Sequence, residues 1–190
     1  MPRGKQPATP LPNMNKSVIA RAGRTVPLLI LPFVVVAAAW TIAAPRLRVV
    51  ALGDGTGSPT YGSSGAEVSA TIMLSAMLFG AGAAAALVLW RRHSRLRALP
   101  PALWAWLGIG ALGAVTSTAS LALARLVFSA DTNAAEGTII ELAPRLARQV
   151  MTAGQSTQAV ENIAMAAWAA GGALTVWFVA AYMSFGRDLR

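Results

Sequence analysis

Four stretches of this chain carry no charged residue and little polarity, and they govern the reading of everything between them. They occupy residues 25–45, 68–90, 98–124 and 162–186. About 20 helical residues cross a hydrocarbon core of roughly 30 Å, so each run is long enough to span a bilayer. Backbone N–H and C=O groups in lipid must be bonded internally, which makes each crossing a helix. The pattern predicts an all-α membrane protein: a bundle of four transmembrane helices, residues 25–186, with spans at about 25–44, 68–90, 100–125 and 161–185.

The first run also has to be weighed as a cleaved signal peptide. A signal h-region is about 7–15 residues, shorter than the apolar run of residues 26–44. Thr41-Ile42-Ala43 resembles a small-x-small cleavage site, but the length favours a retained anchor. Pro27 suits a first helical turn, whereas Pro32 lies deeper and predicts a kink. Pro100-Pro101 suits the start of the third span.

Between the spans the character changes. Residues 1–24 mix four prolines with basic and polar side chains and read as a disordered basic tail. The outer loop at about 45–67 opens with Leu47-Arg48-Val49-Val50-Ala51-Leu52 and continues through Gly53-Asp54-Gly55, which suggests a small β-hairpin. The outer loop at about 129–157 holds Pro144 and Gly154 as start and stop signals for a short amphipathic helix. Leu146, Ala147, Val150 and Met151 would share its apolar face. Residues 91–99 form an inner loop, and 187–190 a second short tail.

Charge supplies the orientation. Only 12% of residues are charged, about half the usual share for a soluble domain, yet the net charge is +9. The N-terminal tail holds Arg3, Lys5, Lys16, Arg21 and Arg24; the inner loop holds Arg91, Arg92, Arg95 and Arg97; the C-terminal tail holds Arg187 and Arg190. Against these 11 basic residues stands Asp188 alone, whereas the other side carries five arginines and six acids. A Lys/Arg excess beside span ends marks the cytoplasmic face, so both termini are expected inside. The basic surface is accounted for by topology and anionic lipid headgroups, without nucleic acid. The expected location is a bacterial plasma membrane; the 14 arginines against two lysines suggest a high-GC genome.

The inventory of reactive groups is short. There is no cysteine, which removes disulfides, thiolate nucleophiles and Cys-based metal sites. The single histidine, His93, sits in the basic inner loop without a nearby carboxylate, so no hydrolase triad is suggested. Asp131, Glu136 and Glu141 are spaced by five and read as a solvated loop more readily than as a cation site. No catalytic residue, cofactor or metal is predicted. Thr116, Ser117, Thr118 and Ser120 cluster on the third span. They could line a hydrophilic path, but hydroxyls in such spans commonly bond back to the preceding turn.

Packing signals are more abundant. Ala76, Gly80 and Ala84 recur at four-residue spacing, as do Gly113 with Ser117 and Ala167 with Gly171. Helices in lipid associate largely through close approach at small residues, so these stripes predict a tight bundle and leave open whether each stripe's partner is another span or another subunit. Arg125 ends the third span on the side where Glu67 and Glu161 begin the second and fourth. An ion pair of Arg125 with Glu67 or Glu161 is therefore one expectation, and separate snorkelling to the headgroups is the other.

In layout the chain resembles a family of small actinobacterial four-span membrane proteins known only as a domain of unknown function. The likeness lies in Ala44-Pro45 after a Trp-containing first span, Val49-Val50-Ala51-Leu52 before a glycine turn, Leu89-Trp90-Arg91-Arg92-His93 and Ala143-Pro144. The resemblance implies four spans in a bacterial inner membrane and brings no activity or site residue. The expected role is a non-enzymatic accessory or scaffold subunit of a plasma-membrane assembly, in contact with lipid and either other subunits or its own copies. A small transporter or channel component is the second reading, and a membrane enzyme of lipid or glycan metabolism the third.

Overall fold

The computed structural model describes residues 14–52, 57–60, 63–93, 99–128, 135–146 and 158–188. The element order is α1 (Met14–Ala43), β1 (Leu47–Ala51), β2 (Gly57–Pro59), α2 (Ser63–Arg92), α3 (Leu99–Val127), β3 (Ile139–Leu142) and α4 (Gln158–Asp188). All four helices are long and apolar enough to cross a membrane. α1 begins earlier than the sequence reading allows: residues 14–24 are helical, because no proline interrupts them. Pro27 therefore lies inside the helix with Pro32, not in its first turn. α1 stops where Pro45 can no longer donate a backbone N–H, the last bond running from Ala44 to the Trp40 carbonyl at 2.8 Å. At its other end α2 carries Arg91 and Arg92 in the last turn, where cations complement the helix dipole.

α2 and α4 make the most extensive contact, followed by α3 with α4, while α1 packs on α2 and α3. α1 and α4 thus occupy opposite corners. The buried stripe of α1 is Phe33, Val36, Ala37, Trp40 and Ala44, at the three-to-four-residue spacing of one helix face. Across it, the Trp40 indole N–H donates to the Ala70 carbonyl of α2 at 2.9 Å.

The size distribution of side chains is inverted relative to a water-soluble globule. Buried positions are largely small: Ala70, Ala81, Ala85, Ala86, Ala102, Ala124, Ala169, Ala173, Ser117 and Ser120. Large aliphatics and aromatics such as Val34, Val35, Ile72, Leu107, Val115 and Phe178 face outward. Contiguous apolar surface on this scale is not tolerated in water, and lipid is the solvent that suits it. The protein is a multi-pass helical membrane protein.

One end of the bundle carries a three-stranded antiparallel sheet in the order β2-β1-β3. The hairpin expected in the first outer loop is present, with Val50 opposite Ser58 and Ala51 opposite Gly57. The third strand comes from the loop between α3 and α4, pairing Leu47 with Leu142, Arg48 with Glu141, Val49 with Ile140 and Val50 with Ile139. Period-two alternation puts Leu47, Val49, Ala51, Ile140 and Leu142 on one face and Arg48, Val50, Ile139 and Glu141 on the other. Leu47 and Ala51 are buried on the first face, while Arg48, Ile139 and Glu141 are exposed on the second. Gly137, at φ 82°, supplies the turn that leads into β3. The helix expected to start at Pro144 does not start there: residues 143–146 are irregular, with Pro144 and Leu146 buried, and 147–157 lie outside the described residues.

Candidate functional site

The hydroxyl cluster of α3 is the first place to look for chemistry. Thr116 donates to the Leu112 carbonyl at 2.7 Å, Thr118 to Ala114 at 3.0 Å, and Ser120 to Thr116 at 2.7 Å. Thr41 of α1 does the same toward Ala37 at 2.7 Å and also lies 3.4 Å from the Ser120 carbonyl. The hydroxyls of Thr41, Thr116, Thr118 and Ser120 thus all bond back to the helix's own preceding turn. Ser117 departs from this pattern: it is wholly buried and its Oγ has no hydrogen-bond partner among the described residues. Nearby in the core, Ser75 of α2 contacts the Met165 sulfur of α4 at 3.9 Å. The cluster is a packed polar seam with one unsatisfied hydroxyl.

Close approach of α2 and α4 is set by two glycines. A Cβ on Gly82 would collide with the Ala169 carbonyl, and one on Gly172 with the Phe79 carbonyl. Between α3 and α4, a Cβ on Gly113 would come within 2.6 Å of that of Ala169. Gly113 and Ser117 thus lie buried in the bundle. The expected packing stripe Ala76, Gly80 and Ala84 does not: all three are exposed, and a Cβ on Gly80 would meet nothing within 4 Å. They continue the outward line of Val68, Ile72 and Leu87, while Leu74, Leu78, Ala81 and Ala85 face inward. On α4, Ala167 is exposed, and Gly171 is half-buried near Phe79.

At the arginine-bearing end, Trp90, Trp106 and Trp177 from three helices form an aromatic cluster. Trp177 meets Trp90 and Trp106 edge-to-face, with centroids 5.6 Å and 5.9 Å apart. The indole nitrogens of Trp106 and Trp177 are enclosed without a hydrogen-bond acceptor among the described residues. Arg91 and Arg92 are exposed on the same end of α2, whereas Arg95 and Arg97 lie outside the described residues. Arg21, Arg24 and Arg187 belong to helical backbone in α1 and α4.

At the opposite end, Glu141 of β3 binds Arg46 at 2.9 Å and Arg48 at 3.2 Å, and the Arg46 guanidinium stacks over Phe128 at 4.1 Å. The Arg46 hydrogen bond above all, with Arg48 adding to it, holds the Glu141 carboxyl below the ordinary carboxylate range. This exposed clamp is distinct from the ion pair expected at Arg125. Arg125 is exposed and forms no salt bridge with Glu67, and the Glu161 side chain lies outside the described residues. Glu141 is already held by two arginines, and among the described residues no group of three acids or histidines converges. Neither the tryptophan cluster nor the clamp has a short-range sequence signal, since their members lie far apart in the chain.

Finally, a groove of about 440 Å³ opens on the outer surface between α3 and α4. It is lined by Ala114, Val115, Thr118, Ala119, Ala122 and Asn162. Within it the Thr118 hydroxyl donates to the Asn162 side-chain oxygen at 3.3 Å.

Fold and surface together define a four-helix membrane protein capped at one end by a small β-sheet. No protein-family model, curated protein or solved structure matches the chain.

Proposed function

We propose that this chain is a non-enzymatic accessory or scaffold subunit of a bacterial plasma-membrane assembly, with both termini in the cytoplasm. The observation that carries the reading is the sheet at one end of the bundle. Strands from both outer loops are joined there, and Glu141 clamps them to Arg46 and Arg48. Such a platform offers a fixed surface above the bilayer, with Arg48 and Glu141 beside the exposed Ile139, on which a partner's outer domain can rest. The spans beneath it support a holding role: no charged residue falls near the middle of any of them, where proton relays and ion-coupled carriers place theirs. The basic tails and inner loop orient the platform outward by the Lys/Arg bias.

A second reading, a small transporter or channel component, is favoured by one observation, the unsatisfied and wholly buried Ser117 hydroxyl. Native mass analysis of the chain extracted in mild detergent separates the two. The scaffold reading expects a stoichiometric complex with another membrane protein. Recovery alone, together with solute flux in liposomes, overturns it. A reporter fused after Arg190 tests the orientation, and activity outside the cell reverses it.

A further inference from the structure

We draw no further inference here: the strongest candidate, the outer edge of β3 beside the exposed Ile139 in the sheet that caps the bundle, carries nothing because nothing among the described residues shows what covers it.

Discussion

Arg46 and Glu141 meet at 2.9 Å although 95 positions separate them in the chain. Arg46 follows the end of α1, Glu141 lies in β3, and Phe128, beneath the guanidinium, follows α3. One arginine therefore ties together the exits of two helices and the loop between α3 and α4. Arg48 takes the other oxygen of the same carboxylate. Exposed pairs contribute little to global stability, so the effect of this one is local: it holds β3 on β1.

Glu141→Gln is accordingly expected to lower the hydrogen-exchange protection of β3 amides while leaving the helices unchanged. Acid should do the same to the unaltered protein. The carboxyl is depressed in the folded state, so its contribution is complete above the ordinary glutamate value of about 4.3 and fades as pH falls through the lower folded value. Protection of β3 that is unchanged in the variant shows that backbone pairing alone holds the strand.

Glycine substitutions test the rotation of α2. Gly82→Ala drives a methyl into the Ala169 carbonyl and is expected to cost about 1–3 kcal/mol in detergent unfolding. Gly80→Ala, two positions away, meets open space and is expected to be neutral or to stabilise by up to about 1 kcal/mol through helix propensity. The opposite ranking would mean that α2 presents its Ala76–Gly80–Ala84 line to α4.

These two glycines also show how far the chain could be read without coordinates. The four spans were legible because lipid imposes one length and one backbone geometry on every crossing. The rotation of α2 was not, since residues 80–86 are Gly-Ala-Gly followed by four alanines and every face there is small. Leu74 and Leu78, whose bulk falls inward, decide it. β3 escaped notice because it is four residues long and its partner strand is about 90 residues away. Arg125 invited pairing with the carboxylates at helix starts, of which the Glu161 side chain lies outside the described residues; the clamp of Arg46 and Arg48 on Glu141 was not foreseen, because strand register brings it together. Register is a tertiary outcome that charge counting cannot reach.

Trp40 is the largest side chain wholly buried in the bundle, and its indole N–H reaches the Ala70 carbonyl. Trp40→Phe removes that bond and part of the ring volume while keeping an aromatic in place. A loss of about 1–3 kcal/mol is expected, combining a modest intramembrane hydrogen bond with a partly filled cavity. Unfolding in detergent measures the loss, and a red-shifted fluorescence of the remaining tryptophans would report a loosened α1. Stability equal to the unaltered protein would mean that α1 docks through Phe33 and Val36 and needs no bond at Trp40.

Ser117 separates a holding bundle from a conducting one. Its hydroxyl is enclosed and unpartnered, so removing it relieves a buried polar group with little change in shape. Ser117→Ala is expected to be neutral or to stabilise by about 1 kcal/mol, measured as a shift in the unfolding midpoint. Ser120→Ala, which breaks a bond to the Thr116 carbonyl, serves as the comparison and should not gain. If Ser117 instead meets a passing solute or an ordered water, the same substitution strips a partner from it. Stability then falls, and any liposome flux changes with it. The sign of one alanine substitution thus bears on both packing and role, because an unsatisfied hydroxyl burdens a closed core and serves an open path.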